Sequence, residues 1–391
     1  MPSPFFSVVI PTKNRPQYVQ DAIASVLLQD ETDLECVVSD NFNEPSTRAA
    51  VDRFASDRRL RYFRTERDLN MIDHWEFATQ KATGEYVLVL ADRKLLFQGA
   101  LRRLRRELSR WPEIDVFSVG VSVYDDQIHR MGWAPPRFHT RLYRCRDLVE
   151  NFLRANIFVE QSLEPVFPKT LNGGYRRRFA ERVRAGGRRY FNNPGVTTPD
   201  FSSFFINCAL APDALHVGSP LILTQGEADS NGRRFGSGHV GPYLETLGIA
   251  DLYRGVPLRE PFIYNLLIGD FLRIQERFGE HLTGIEPHWP SYFRTLRAEW
   301  CLKRRLAVLS AAEMAALETA WQEAGLRILG AAGLEEARRL AEKAPDPRRQ
   351  PLAHVRDFIN HRFSHMRWVN RIMRHRFDRA LDAAGFGAAA S

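Results

Sequence analysis

Apolar and polar stretches alternate along the first 125 residues in the order that is typical of an α/β domain. Residues 5–10 form a short apolar run that Pro11 closes, which indicates a buried strand. Residues 16–29 then carry apolar side chains at helical spacing. The same alternation predicts strands over 34–39, 60–63, 86–90 and 116–124, and helices over 73–82 and 101–108. This order predicts an α/β fold, with a mostly parallel sheet flanked by helices on both faces.

The pattern changes in the second half of the chain. A helix is predicted over 199–210, and short strands are predicted around Pro220 over 214–223. After about residue 250 the chain becomes helical and more basic, and residues 342–352 are rich in proline and polar groups, as linkers are. We therefore expect an α/β domain over 1–250 and a C-terminal helical, basic region over 251–391.

Composition narrows the class of protein only a little. The 391 residues carry 55 Lys and Arg against 47 Asp and Glu, a net charge of +8 that favours anionic partners. The four cysteines are far apart, which indicates idle thiols in a reducing compartment. The N-terminus has no basic segment before its short apolar run, so we expect no signal peptide, and no run reaches the roughly 18 apolar residues of a membrane span. We expect a cytoplasmic protein, peripheral at most on the inner face of a membrane.

Polar side chains follow three of the predicted strands where each strand ends. Because the carboxyl ends of parallel strands meet at one edge of a sheet, these side chains are expected to converge on a ligand. A carboxylate such as Asp40 can accept the imino N–H of a uracil or thymine ring, and Arg15 or Lys94 can meet a diphosphate. The candidates at the three strand ends are Pro11, Thr12, Asn14 and Arg15, then Asp40, then Asp92, Arg93 and Lys94.

Three segments in this order resemble the family 2 glycosyltransferases of bacterial polysaccharide and glycoconjugate synthesis. They read SVVIPTKNRPQYVQDAIASVLLQ, VVSDN and ATGEYVLVLADRKLLFQGAL. The resemblance implies a GT-A fold and an inverting transfer of a sugar from a nucleoside-diphosphate sugar to a glycan or lipid-linked acceptor. It also implies that Pro11, Thr12 and Asp40 contact the base and ribose, that Asn70 contacts the donor, and that Asp92 begins the DXD-type metal motif. A UDP or dTDP donor is expected from Asp40.

The sequence departs from the family at that motif. Arg93 occupies the position where a metal-binding carboxylate is usual, and Lys94 follows it. Two cations beside Asp92 would repel Mg²⁺ or Mn²⁺, which need oxygen ligands, so a metal at Asp92 is in doubt. In one interpretation Arg93 and Lys94 replace the metal and neutralise the leaving diphosphate. In another the site binds nucleotide without catalysis, and in a third both cations are solvated loop charges.

The resemblance places the catalytic base later in the chain. In the segment Thr197 to Phe201 a Pro-Asp pair opens a predicted helix, and Asp200 is the candidate base. The alternative is that Asp200 only caps that helix. Glu164 is the second candidate carboxylate.

The tail has an amphipathic, basic pattern. Its apolar residues recur at steps of three and four, with arginines between them, so the tail either binds an anionic membrane surface or packs on the body of the protein. Nucleic-acid binding is excluded as the leading function because no recognised motif is present. The competing function is a catalytically degenerate nucleotide-sugar-binding or scaffolding protein. The apolar residues of the tail are Val355, Phe358, Ile359, Phe363, Met366, Val369, Met373 and Phe377.

Overall fold

The computed structural model describes residues 3–42, 45–125, 130–133, 140–154, 166–224, 241–279, 281–305 and 309–342. Its N-terminal part alternates strands and helices, as the apolar pattern predicts, and the predicted elements are found with ends shifted by a few residues. The elements are β1 (Phe6–Thr12), α1 (Pro16–Leu27), β2 (Leu34–Asp40), α2 (Pro45–Asp52), β3 (Leu60–Arg64), α3 (Met71–Thr79) and β4 (Tyr86–Val89).

The next part contains several elements that the sequence did not predict, among them short strands and the helices over 145–154 and 177–185. Residues 214–223 form one long strand, so the prediction of separate short strands was wrong. Its pairing shifts on both sides of Pro220, which has no N–H to donate to the ladder. The elements are β5 (Lys94–Leu96), α4 (Ala100–Arg110), β6 (Val116–Asp125), β7 (Arg130–Trp133), β8 (Thr140–Arg144), α5 (Cys145–Arg154), β9 (Gly173–Arg176), α6 (Arg177–Ala185), α7 (Pro199–Leu210) and β10 (Asp213–Thr224).

These strands form one sheet in the order β3-β2-β1-β4-β9-β6-β10-β5, with β7 on β6 and β8 on β10. Strands β1, β2, β3 and β4 pair in parallel. Strand β9 is antiparallel to both β4 and β6, so β6 and its parallel neighbour β10 run in the direction of β1. The predicted mostly parallel α/β sheet is confirmed, and all its predicted strands share one direction.

Two glycines allow β9 to lie between β4 and β6. A Cβ at Gly173 would overlap the carbonyl oxygen of Phe117, and one at Gly174 would overlap that of Val87. Because any side chain at these positions would displace a neighbouring backbone, the strand needs glycine there. The close approach closes the gap between the two parallel parts of the sheet.

The apolar core lies on both faces of the sheet. Alternate residues of β1 point to opposite sides, so that Val9 packs with α3, α5 and α7 while Val8 and Ile10 pack with α1 and α4. Both clusters consist of fully or nearly fully buried side chains. The sheet is therefore covered by helices on each face, as the continuous apolar strand runs predict.

Most of the described residues after 240 are in helices, which confirms the predicted C-terminal helical extension. The apolar core on the α3 side continues into these helices. The division of the chain at residue 250 stays a prediction. Among the described residues, no helix is long and apolar enough to cross a membrane. The helices are α8 (Gly241–Thr246), α9 (Ile263–Phe278), α10 (Trp289–Arg305) and α11 (Ala311–Glu342), the last interrupted at Gly330.

Candidate functional site

The end of β1 meets the segment after β4 at a buried carboxylate. Thr12 Oγ1 donates a hydrogen bond of 3.0 Å to Asp92 Oδ2, and Arg15 Nη1 lies 3.3 Å from Asp92 Oδ1. Asp92 is 3% exposed. The sheet order explains this contact between residues 80 positions apart, because β1 and β4 are parallel neighbours and their carboxyl ends coincide.

Burial has the largest effect on the pKa of the Asp92 carboxyl group. It raises the pKa of Asp92 above its usual range, although the charge of Arg15, the Thr12 hydroxyl and the charge of Arg93 each act to lower it. Pro11 lies within β1 next to Thr12, and Asn14 has a left-handed backbone with a φ of 55°. Such a conformation is uncommon for a residue other than glycine and is frequent at ligand sites.

Asp40 ends β2 beside Thr12, and the two residues face each other in the parallel register. Asp40 is 1% exposed and accepts a hydrogen bond of 2.7 Å from the hydroxyl of Tyr62. Burial first, and Asp40 second, raise the pKa of Tyr62, so this phenol keeps its proton. Tyr62 was missed at the sequence level, and its place on β3 beside β2 is the only signal that could have indicated it.

Asn41 fixes the segment that carries Asn70. Its side-chain amide donates to the carbonyl of Leu69 at 2.8 Å and accepts from the N–H of Leu69 at 2.9 Å. Asn70 is the N-cap of α3, where its side chain accepts from the N–H of Asp73 at 2.9 Å and donates to that residue's carboxylate at 2.9 Å. Asn70 is thereby held close to the end of β2, and much of its hydrogen-bonding capacity serves the helix.

Arg93 and Lys94 lie in different surroundings although they are neighbours. Lys94 is 8% exposed, and its ammonium group donates to the carbonyl of Leu171 at 2.6 Å. It also begins β5, which pairs with the end of β10. The interpretation as a solvated loop charge is therefore wrong for Lys94. Arg93 is half-buried, and its charge acts on Asp92.

Asp200 occupies the first turn of α7. The N-cap is Thr198, followed by Pro199 at the first helical position, so Asp200 does not cap the helix as the alternative supposed. Among the residues that the structure describes, no hydrogen bond or ion pair holds the Asp200 carboxylate. The side chain is half-buried, at the first turn of the helix.

A short segment joins the Asp200 helix to Lys94. The N–H of Thr170 donates to Ser203 Oγ at 3.0 Å, and that hydroxyl donates to the carbonyl of Asp200 at 2.6 Å. The next residue, Leu171, accepts the hydrogen bond from Lys94. The structure thus brings Thr12, Arg15, Asp40, Asp92, Arg93 and Lys94 to one edge of the sheet and ties α7 to that edge. Glu164 lies outside the described residues.

The donor set at Asp92 does not match a protein-built metal site. Within the described part of the chain, no three His, Cys, Asp or Glu side chains lie close enough to hold a metal ion together. Asp92 itself is bonded to Thr12 and Arg15 and lies near the charge of Arg93. Mg²⁺ and Mn²⁺ prefer several oxygen ligands, and the neighbouring cations oppose them.

A cavity of about 550 Å³ adjoins the site on the side of α9. Its wall includes Asn70 and the segment 192–196, which leads directly to α7. The polar groups of the wall include the amide of Asn192, the guanidinium group of Arg277 and the carboxylate of Glu276. A cavity of this volume is large enough for one or two sugar rings.

Two large polar or aromatic side chains of α3, His74 and Trp75, are buried and contact other protein groups. His74 is buried and its Nε2 lies 3.0 Å from Ser39 Oγ, and burial lowers its pKa to about 4. Trp75 is 6% exposed and packs edge-on against Phe191. Both side chains are thus part of the buried interior.

Comparison with known proteins gives a family match over the N-terminal part and, among curated relatives, two that each cover about a quarter of the chain. Residues 7–160 match the family described as Glycosyl transferase family 2. A GalNAc(5)-diNAcBac-PP-undecaprenol beta-1,3-glucosyltransferase of Campylobacter jejuni is 33% identical over 106 residues, 27% of this chain and 34% of that protein. Protein CgeD of Bacillus subtilis is 28% identical over 117 residues, 27% of each chain. The chain thus spans about a third or less of the length of these relatives.

Solved structures resemble the chain more loosely. TarS 1–349 of S. aureus has a TM-score of 0.47 at 16% identity, over 86% of this chain and 90% of that one. The mannosyltransferase PcManGT of Pyrobaculum calidifontis, in complex with GDP-Man and Mn²⁺, has a TM-score of 0.43 at 17% identity, over 88% and 89%. The assignment therefore rests on the sequence match over 7–160, which contains the strand-end residues described above. That match assigns residues 7–160 to glycosyl transferase family 2.

Proposed function

We propose that this protein transfers a sugar from a nucleoside-diphosphate sugar to an acceptor hydroxyl, with inversion at the anomeric carbon. The observation that carries the proposal is the convergence of Thr12, Arg15, Asp40 and Asp92 at the carboxyl ends of three parallel strands. Ligands of open α/β sheets bind at this edge. The family match over the same residues supports a nucleotide-sugar ligand.

The nucleoside end of the donor fits the end of β2. Tyr62 donates to one oxygen of Asp40, Oδ2, and so orients the carboxylate. A uracil or thymine ring presents an imino N–H that an Asp40 oxygen can accept, with Pro11 and Thr12 beside the base and ribose. UDP and dTDP sugars are therefore the proposed donors.

The diphosphate is proposed to be neutralised by side chains of this chain. Arg15 and Arg93 lie around Asp92, where their charges would face the leaving phosphates. Lys94 can join them only if a phosphate oxygen competes with the carbonyl of Leu171. Because the donor set does not match a metal site, no step of this proposal uses a metal.

Asp200 is the proposed base. Its carboxylate would take the proton of the acceptor hydroxyl while that oxygen attacks the anomeric carbon from the face opposite the leaving diphosphate. The new glycosidic bond forms as the bond from the anomeric carbon to the phosphate oxygen breaks, which inverts the configuration. The cavity beside segment 192–196 is the proposed acceptor side. A glycan or lipid-linked glycan acceptor is proposed, in keeping with the name of the Campylobacter jejuni relative.

Thermal unfolding with a panel of nucleoside diphosphates tests the donor site, each nucleotide measured with Mn²⁺ and with chelator. A ligand of the native state raises Tm by mass action. We expect UDP or dTDP to raise Tm in the presence of chelator. A rise that requires Mn²⁺ would contradict the role of the arginines, and the absence of a rise with every nucleotide would contradict the nucleotide site itself.

A second candidate is a nucleotide-sugar-binding or scaffolding protein without catalysis. The observation that favours it is Arg93 at the usual position of a metal-binding carboxylate. Donor turnover in the presence of candidate acceptors separates the two. We expect transfer that Asp200→Asn abolishes while nucleotide binding is kept, whereas binding without turnover in the wild type would favour the scaffold.

A further inference from the structure

The start of α7 is held by another helix. Thr198 is the N-cap, yet its side chain makes no capping hydrogen bond to the first turn of its own helix. Thr, Ser, Asp and Asn at this position usually accept from a first-turn N–H group. The threonine hydroxyl is used elsewhere, so the direction in which α7 begins depends on a contact outside the helix.

That contact is Asp270 of α9. Its Oδ1 accepts from the N–H of Thr197 at 2.8 Å. Its Oδ2 accepts from the hydroxyl of Thr197 at 3.0 Å and from the N–H and hydroxyl of Thr198, both at 3.1 Å. Asp270 is 0% exposed, so one buried carboxylate collects four donors from the two residues that precede Pro199.

Two further contacts hold the same segment. Gly195 has a φ of 87°, and a Cβ there would lie 2.8 Å from Arg273 Cδ, so the glycine backbone packs directly on that side chain. Arg273 is itself fixed by hydrogen bonds to two main-chain carbonyls of the segment 251–252. The hydroxyl of Tyr243 donates to the carbonyl of Thr197 at 2.6 Å. Segment 195–198 is thus held on several sides.

We propose that Asp270 is a positioning residue that fixes the first turn of α7 and thereby the place of the Asp200 carboxylate. This inference rests on the proposed role of Asp200 as base. Asp270 is buried and acts through Thr197 and Thr198, without touching a substrate. A buried carboxylate costs free energy unless its oxygens are bonded, and stability alone would be served equally well by an ordinary threonine cap.

The test compares Asp270→Asn with a matched variant of another buried carboxylate. Asp270→Asn keeps the shape but replaces one acceptor oxygen by a donor, which then faces donors. Glu299 of α10 is 2% exposed and accepts from the N–H groups of Ile263 and Tyr264 at the start of α9. Glu299→Gln makes the same acid-to-amide change at the start of α9, about two turns before Asp270 and at a helix start that carries no proposed catalytic group.

Three quantities are measured for both variants: kcat and donor KM, the rise in Tm with nucleotide, and the amide hydrogen exchange of residues 197–203. In Asp270→Asn we expect kcat to fall about tenfold to a hundredfold, because small displacements of a catalytic group cost this much. Nucleotide binding should be unchanged, and the amides of the first turn of α7 should exchange about tenfold faster. Glu299→Gln should lower Tm without these effects on kcat or on α7.

The outcomes separate this inference from the proposed function. Unchanged kcat and unchanged exchange at α7 in Asp270→Asn would overturn the positioning role. Faster exchange at α7, together with full activity of Asp200→Asn, would contradict the role of Asp200 but leave Asp270 as the group that fixes the helix. If Asp270→Asn does not fold, Thr198→Val removes one hydroxyl donor, and the same kcat and exchange measurements apply to it.

Discussion

At the scale of single residues, the site depends on carboxylates that water barely reaches. Asp92 and Asp40 are 3% and 1% exposed, and each accepts a hydrogen bond from a hydroxyl on a neighbouring strand or strand end. Such bonds fix the direction of the carboxylates before a ligand arrives, which lowers the cost of binding. Arg15, which pairs with Asp92, has a different role, because its side chain is 27% exposed and can reach a ligand.

The variant Arg15→Gln tests whether Arg15 binds the nucleotide. We expect the Kd for the preferred nucleoside diphosphate to rise about tenfold to a hundredfold, since hydrogen bonds to charged groups contribute about 1.5–3 kcal/mol. Calorimetric titration measures the change. Arg144→Gln is the control, because Arg144 is exposed at the end of β8 and pairs with Asp147 at 2.9 Å, and among the described residues it makes no ion pair with a proposed site residue. An unchanged Kd in Arg15→Gln would restrict Arg15 to orienting Asp92.

His74 makes stability depend on pH. Burial lowers its pKa to about 4 in the folded protein, while in the unfolded chain the pKa is near 6.5, so between these values only the unfolded chain binds the proton. The free energy of unfolding should therefore fall by up to about 3 kcal/mol as the pH falls from about 6.5 to 4. Urea unfolding across this range measures it. His74→Gln should remove this part of the slope, whereas His281→Gln, at an exposed histidine, should keep it.

At the scale of elements, the sequence predicts helices and strands with a periodic apolar pattern but misses short strands such as β5 and β9. The helix over 199–210 was predicted with its observed ends, because Pro199 starts it and apolar residues continue it. Strand β5 has only three residues, and β9 begins with Gly173 and Gly174, which have low strand propensity. Their neighbours in the sheet, rather than their own side chains, make them strands.

Gly173→Ala tests how strictly β9 depends on close approach. A methyl group there would overlap the backbone of Phe117, so we expect the free energy of unfolding to fall by about 3 kcal/mol. Urea unfolding at neutral pH measures the loss. Gly241→Ala is the control because a Cβ there meets no atom within 4 Å. Equal stability of the two variants would mean that β9 can move away from β6 without loss of stability.

In the site, too, some contacts can be predicted from the sequence and others cannot. The meeting of Thr12 with Asp92 follows from the rule that strand ends of a parallel sheet coincide, although 80 residues separate them. The contact of Thr197 with Asp270 spans 73 residues and follows no such rule. An aspartate within an apolar helix gives no sign of its partner until the helices are packed.

At the scale of the whole molecule, the helices after residue 250 share an apolar core with the sheet. Phe262 and Phe271 of this region belong to the same buried cluster as Val9 of β1. Through α9 this region also holds the segment that leads to α7. The helical region is thus a support of the proposed acceptor side.

The basic tail lies beyond the described residues, and truncation tests one of its two predicted roles, contact with an anionic membrane surface. Removing residues 343–391 should abolish sedimentation with phosphatidylglycerol vesicles, because arginine-rich amphipathic segments bind anionic surfaces. The rise in Tm with nucleotide should be kept. Wild-type protein that does not sediment with these vesicles would favour the alternative that the tail packs on the protein.

The place of β9 also bears on how the chain is made. Strands β4 and β6 are both complete by residue 125, but the strand that lies between them ends at residue 176. During synthesis, the edges of β4 and β6 that pair with β9 stay without this partner until some fifty further residues have left the ribosome. Exposed edges of this kind invite wrong pairing and aggregation, and late long-range closure slows folding. We therefore expect the yield of soluble protein to rise at lower expression temperature and with added chaperones. This rise should be larger than the stability of the folded protein alone predicts.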